Sequence, residues 1–272
     1  MIVIGEKINA TRKSIARAIA SRDEEAVAIL IRQQEEAGAD VLDLNAGAGQ
    51  EDLSRAVEDM QWLVGVAQKA TAKPLAMDSE IPEVLEAALS VVTGPTAWIN
   101  SVSAEKRRME SVLPLAKKFA SPLVALCMDD HGIPGDLAGR MRAAEILYRA
   151  ADENGIPFEN LYFDPLVMPL GAQSDAGALA LSCIRSIKEN LVGSKTVLGL
   201  SNVSFGLPMR PALNQAFLIL CMGAGLDAAI LDPCDETLMT GLLAAEALMG
   251  KDAHCGRFIR AYRKQMKKGG KP

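Results

Sequence analysis

The sequence predicts a (β/α)8 barrel, and three observations carry the prediction. Eight short aliphatic runs recur along the chain. They are continuous rather than alternating, the mark of parallel strands buried on both faces. Helical patterns lie between them, so adjacent runs start roughly 20–40 residues apart, the length of one βα unit. The chain of 272 residues suits one such barrel. A doubly wound open sheet is the alternative. It usually has fewer strands and a glycine-rich first turn, and Gly47-Ala48-Gly49 fails G-x-G-x-x-G because Asp52 stands at the last position.

Ile2-Val3-Ile4 opens the series. A helix is expected over Asp23 to Ala37, with Ala26, Val27, Leu30 and Ala37 on its apolar side and Gly38 as its stop. Val41-Leu42-Asp43-Leu44 follows. Glu51 to Ala70 repeats the helical pattern through Leu53, Ala56, Met60 and Leu63, and leads to Leu75-Ala76-Met77. Ile81 to Val92 carries Pro82 at an early helical position, where proline is tolerated. Ala97-Trp98-Ile99 and Leu123-Val124-Ala125-Leu126 come next. Leu137 to Asn154, closed by Asn154-Gly155, precedes Leu161-Tyr162-Phe163. Asp164 to Asp175 is the longest connection, and its two prolines and Gly171 read as a shaped loop over one end. Thr196-Val197-Leu198-Gly199-Leu200 is the seventh run. Pro211 to Met222, ending at Gly223-Ala224-Gly225, leads to Ala228-Ala229-Ile230-Leu231. Residues 1–262 are expected to form the barrel and 263–272 a basic, disordered C-terminal tail. A docking arm for an acidic partner is the sharper reading of that tail.

Hydrophobic residues make up 49% of the chain and aromatics only 4%, as expected of helices packed on an aliphatic sheet. A net charge of −5 argues against a nucleic-acid footprint. The five cysteines are odd in number, scattered, and without C-x-x-C, which argues against a disulfide framework and for a reducing cytoplasm. Only Met1 to Ile4 are apolar at the start, and no apolar run reaches the roughly 18 residues of a membrane span.

In such a barrel the active site forms where the C-terminal strand ends converge. Those ends read Glu6 and Asn9, Asp43 and Asn45, Asp78, Asn100, Asp129-Asp130-His131, Asp164, Asn202 and Ser204, and Asp232. Any one of these suits an Asx turn or a helix cap. Eight carboxylate- or amide-bearing ends on one mouth suit a ligand better. Asn202 is the sharpest of them, because an unpaired buried amide costs roughly 1–3 kcal/mol and must meet backbone, water or ligand. Lys7 is the sole cation at the immediate strand ends, so the mouth is expected to be cation-poor and to suit a flat heterocycle rich in N–H donors rather than a pyrophosphate. Asp129-Asp130-His131 offers half a metal set with no second histidine nearby, so no metal is expected. Cys234 lacks a partner that would make it a nucleophile.

These pieces together resemble the pterin-binding barrels, specifically the methyltetrahydrofolate–corrinoid protein methyltransferases and the folate module of cobalamin-dependent methionine synthase. The matching stretches are Ile4-Gly5-Glu6-Lys7-Ile8-Asn9, Asp40-Val41-Leu42-Asp43-Leu44-Asn45, Met77-Asp78-Ser79, Ile99-Asn100-Ser101, Phe163-Asp164-Pro165-Leu166 and Gly199 through Pro208. The resemblance implies that Asp78, Asn100 and Asp164 bind the pterin ring and that Gly199 and Ser201 approach it. It implies that Asn202 is catalytic and donates a hydrogen bond at N5 of tetrahydrofolate or methyltetrahydrofolate. Glu6, Asn9, Asp43, Asn45 and Ser204 are further candidate mouth residues. The resemblance also implies a corrinoid (cobalamin) carried on a partner protein, a homodimer, and transfer in either direction. Dihydropteroate synthase is the rival within the fold. It carries a Ser-Arg-Lys type segment after strand seven where this chain has Ser201-Asn202-Val203. Its Arg-x-His is met here by His254-Cys255-Gly256-Arg257, in the wrong order. A non-catalytic pterin-binding protein is the other alternative.

Overall fold

The computed structural model describes residues 1–47 and 52–267. Eight parallel strands close into a barrel in sequence order: β1 (Ile2–Asn9), β2 (Val41–Asn45), β3 (Leu75–Asp78), β4 (Trp98–Ser103), β5 (Leu123–Leu126), β6 (Leu161–Asp164), β7 (Lys195–Gly199) and β8 (Ala228–Leu231). The helices are α1 (Lys13–Ala20), α2 (Glu24–Ala37), α3 (Leu53–Ala70), α4 (Pro82–Ser90), α5 (Lys106–Phe119), α6 (Leu137–Glu153), α7 (Ala176–Asn190), α8 (Arg210–Ala224), α9 (Glu236–Leu248) and α10 (Gly256–Lys267).

The anticipated helices form with their anticipated punctuation. The Asp23 carboxylate caps α2 by accepting the Ala26 N–H, and Gly38 closes it at φ 111°. Pro82 opens α4. Five helices, α1, α5, α7, α9 and α10, have no counterpart among the helices anticipated from sequence. Pro114 sits inside α5 and reads as a breaker, although Val112, Leu113, Leu115 and Ala116 are buried on its inner face. α9 mixes Leu, Met and Ala with Glu236, Thr237, Thr240 and Glu246, and its buried residues Leu238, Gly241, Leu242 and Ala245 share one face. The helix α10 takes in the first five residues of the segment set apart as a tail, Arg263 to Lys267; 268–272 lie outside the described residues, as does Glu51.

Strand alternation sorts the side chains. Outward residues such as Leu42, Leu44, Met77 and Ile99 pack under the helices. Inward, each strand gives one residue to an apolar plug: Ile4, Val41, Ala76, Trp98, Val124, Tyr162, Val197 and Ala228. Trp98 and Tyr162 meet there at 4.4 Å between ring centroids. The plug closes the lumen, so a ligand can enter only from an end. One glycine on β1 makes room for a buried side chain of α2. A Cβ on Gly5 would stand 2.5 Å from the Gln34 Oε1 atom of α2, and that oxygen accepts the Lys7 N–H.

Candidate active site

Because side chains alternate, the inward residue two positions beyond the plug forms the floor of the C-terminal mouth. On β1 to β4 and on β6 that residue is Glu6, Asp43, Asp78, Asn100 and Asp164; on β5, β7 and β8 it is Leu126, Gly199 and Ile230. The floor is therefore one-sided, with acids and amides on five strands and an apolar or empty wall on three.

The polar side is cross-braced. The Asn45 amide donates to Asp78 Oδ2 at 2.8 Å, and the Asn100 amide donates to Asp43 Oδ1 at 3.1 Å. Asp78 and Asn100 are direct neighbours in the β3–β4 ladder. Asp164 accepts the Leu166 N–H at 2.7 Å and the Gly199 N–H at 3.3 Å, which ties the end of β6 to that of β7.

These carboxyls all hold their protons more tightly than usual. Burial pushes Asp164 up to about 6, against the Leu166 and Gly199 N–H groups and the Arg140 guanidinium. Burial raises Asp43 well above the carboxylate range, with the neighbouring Asp78 charge adding to it and the Asn100 amide opposing. Burial raises Asp78 as well, against the Asn45 bond. Glu6 is raised by burial and Asp232, and held down by Arg12, Ser201 and Arg210.

Asn202 corrects one expectation. It is an exposed amide rather than a buried one, and it makes no side-chain hydrogen bond among the described residues. The strand stops at Gly199, and residues Leu200–Ser204 form a 3-10 turn that lifts Asn202 over the mouth. A Cβ built on Gly199 would meet nothing nearer than Asn202 Nδ2, at 3.8 Å. The Ser201 hydroxyl lies 3.5 Å from Glu6 Oε2.

Ser204 is a second correction. It is fully buried, and its hydroxyl donates to the Ser201 carbonyl and accepts from Arg210 Nε at 3.1 Å. It holds the turn rather than facing the mouth. Asn9 accepts the Thr11 N–H and hydroxyl as an Asx turn at the rim. Asp129 accepts the His131 N–H in a tight turn of its own, and Asp232 pairs with Lys7 at 2.9 Å. Among the described residues no three of His, Cys, Asp and Glu cluster as metal ligands would.

The cation-poor mouth is the third correction. Arg210 grips the turn through Ser204 and, at 3.0 Å, the Ser201 carbonyl, and both it and Arg12 act on Glu6. Arg108 donates to the carbonyls of Glu80 and Ser101. These arginines sit at helix starts, not strand ends, so reading strand ends missed them. Pro211 was the available signal for Arg210, since a proline at the start of a helix places the residue before it at the mouth.

Two cavities lie away from this floor. One of about 640 Å³ opens at the opposite end of the barrel, around Asp40, Pro74, Trp98, Lys195 and Asp227. The other, about 570 Å³, runs along the outer wall at the β1–β8 seam, from Lys7 and Cys234 to Phe258 and Tyr262 of α10.

A closed barrel with a one-sided acidic floor and an amide-bearing turn after β7 defines a class, and comparison with known proteins agrees. The chain belongs to the family of pterin binding enzymes, whose sequence signature matches residues 5–232. It is 34% identical over 266 residues to the methylcorrinoid:tetrahydrofolate methyltransferase of Eubacterium limosum, covering 97% of this chain and 96% of that protein. It is 30% identical over 243 residues to methionine synthase of Mycobacterium tuberculosis, covering 85% of this chain but only 20% of that longer protein. Its fold is also that of dihydropteroate synthase from Xanthomonas albilineans, at a TM-score of 0.72 and 23% identity, covering 91% of this chain and 93% of that one.

Proposed function

We propose that this chain is a methyltransferase that moves a methyl group between N5 of tetrahydrofolate and the cobalt of a corrinoid held on a separate protein. The observation that carries the reading is Asn202, an exposed amide without a hydrogen-bond partner among the described residues, on a turn beside a floor of hydrogen-bond acceptors. The near full-length likeness to a methylcorrinoid:tetrahydrofolate methyltransferase supports it.

Each residue has a share in the chemistry. Asp78 and Asp164, ionised, accept the 2-amino and N3–H donors of the pterin, and bonds to a charged acceptor are the strong kind. Asn100 adds an amide beside Asp78 in the adjoining strand. Asn45 and Asp43 stand behind these two and fix their orientation. Gly199 has no side chain to occupy the space the ring needs. Ser201 and Glu6 border the same space, and Asn9 shapes its rim.

With methyl leaving N5, the nitrogen takes a proton from water and departs with the electron pair of the broken bond, giving the N5–H of tetrahydrofolate, and a hydrogen bond at N5 stabilises its developing charge. With methyl arriving, N5 attacks through its lone pair and releases its proton to water. Asn202 donates the bond in the first case and holds the ring for in-line approach in the second. The cobalt supplies the other partner of the displacement. Asn202 is exposed, and so leaves a face open for a protein-bound corrinoid. The enzyme acts as a cytoplasmic homodimer, which light scattering of the purified protein checks.

The test is methyl exchange between methyltetrahydrofolate and free cob(I)alamin in both directions, without oxygen. Turnover supports the methyltransferase. Tight folate binding with no exchange in either direction leaves a non-catalytic pterin-binding protein. The arginines near the mouth and the shared fold give dihydropteroate synthase its one supporting observation, although Arg210 is engaged with the turn. Condensation of a pterin pyrophosphate with 4-aminobenzoate would establish that reading instead.

A further inference from the structure

We propose that Arg140 is a positioning residue of the pterin site, fixing the loop after β6 and with it Asp164 in the orientation that accepts the ring. The inference rests on the reading of Asp164 as a pterin ligand.

Arg140 lies on α6 and is completely buried. Its Nε donates to the Pro134 carbonyl at 3.0 Å, and its Nη1 donates to the carbonyls of Pro165, at 2.8 Å, and Leu166. One side chain therefore ties together the two loops that follow β5 and β6. Leu166, in turn, donates its N–H to Asp164 Oδ1 at 2.7 Å. The guanidinium and the carboxylate are linked through a single residue, each holding one face of it. Leu166 has φ 61°, a left-handed conformation that a leucine keeps only where its surroundings hold it. Arg140 supplies that hold.

A buried guanidinium is an unfavourable way to fill space, since desolvating it is expensive unless its bonds and charge are answered. Here Nη2 has no hydrogen-bond partner among the described residues. Packing alone would be better served by an aliphatic side chain. The charge is answered by Asp164. The other titratable groups facing this pair are Cys127 beyond β5, Cys221 on α8, both toward Asp164, and Cys183 on α7, toward Arg140. Burial pushes Cys127 well up, Cys183 to about 11 and Cys221 to about 12, so all three are neutral at physiological pH. Arg140 is the cation that, after the Leu166 and Gly199 N–H groups, favours the ionised form of Asp164 against burial.

Titrating folate binding against pH in Arg140→Met and Arg140→Lys tests this, with a thermal melt to show that each variant folds. Wild-type affinity should fall as pH drops through about 6, where Asp164 takes up its proton. In Arg140→Met the midpoint should move to higher pH, and affinity at pH 8 should fall on the order of tenfold as the loop loosens. Arg140→Lys keeps the charge without the three-way grip. It should keep the wild-type midpoint and still lose affinity at pH 8. If Arg140→Met does not fold, Arg140→Gln, neutral but able to donate to one carbonyl, takes its place. A folded neutral variant with wild-type affinity and midpoint overturns the proposal. Asp164→Asn separates this from failure of the site itself. Unchanged binding there sinks the pterin assignment, whereas weakened binding there with unaltered Arg140 variants sinks only the role of Arg140.

Discussion

The two ends of the barrel are both polar, yet they differ in what their polar groups still have to offer. At the N-terminal end Asp227 accepts from Lys188, from the Thr196 N–H and from the Thr196 hydroxyl. Asp40 accepts the Val3 N–H, and Lys195 donates to the Tyr162 hydroxyl at 3.0 Å. Those groups close strand starts and the plug. At the C-terminal end carboxyls are braced by neighbouring amides, four of them hold their protons tightly, and the Asn202 side chain has no hydrogen-bond partner among the described residues. A cavity of about 640 Å³ lies at the N-terminal end. Hollow space and polarity therefore do not mark the end where the site is proposed. Carboxyls held against their solvation preference do.

The contrast can be broken at four points. Asn202→Ala should cut the methyl-transfer rate by about 10²–10³, the usual loss for one transition-state donor, while folate affinity stays within a few-fold. A wild-type single-turnover rate would remove Asn202 from the chemistry. Asp78→Asn or Asp164→Asn should weaken folate binding by roughly 10- to 100-fold, the loss of a charge-assisted bond, read by calorimetry. At the other end, Asp227→Asn should lower stability by about 1–3 kcal/mol and leave kcat unchanged. An equal loss of activity in a folded protein would dissolve the difference between the ends.

The smallest effect is one of pH. Asp164 titrates at about 6 in the folded chain against an ordinary 3.8. The fold binds that proton more tightly than the unfolded chain does, so the resulting stability is full below the unfolded value and lost as pH rises through about 6. The ligand-free protein should therefore be more stable at pH 5.5 than at 7.5, by about 0.8 kcal/mol from this group, with Asp43, Asp78 and Glu6 acting in the same direction. Folate binding should run the opposite way and weaken at pH 5.5. Parallel pH profiles for melting and binding would show that these acids are not the ones the ligand needs.

Strand positions and most of the floor were legible in the sequence because period-two alternation and burial on both faces leave a plain pattern. Asp78, Asn100 and Asp164 follow their aliphatic runs directly, and Asp43 interrupts its own. What escaped was anything that reaches the site from a helix. Arg12 and Arg210 stand near helix starts, and Arg140 lies inside α6, where an arginine on an otherwise apolar face looks like a solvated residue. Ser204 and Asn202, two residues apart, are both placed at the mouth by the sequence, although only Asn202 is given a catalytic role. A 3-10 turn points one inward and the other outward, and no linear pattern encodes that turn.

The first strand carries a consequence of its own. Between the rungs Gly5–Leu42 and Ile8–Leu44, β1 holds one residue more than β2. That extra residue lets two neighbours of opposite charge do different work, Glu6 beside Ser201 and Lys7 on Asp232. A deletion of one residue here would heal the ladder and leave every hydrophobic contact of the strand in phase. It would also leave a single side chain to serve two posts, so a shorter, more regular strand would give a sounder barrel with the wrong charge at its lip.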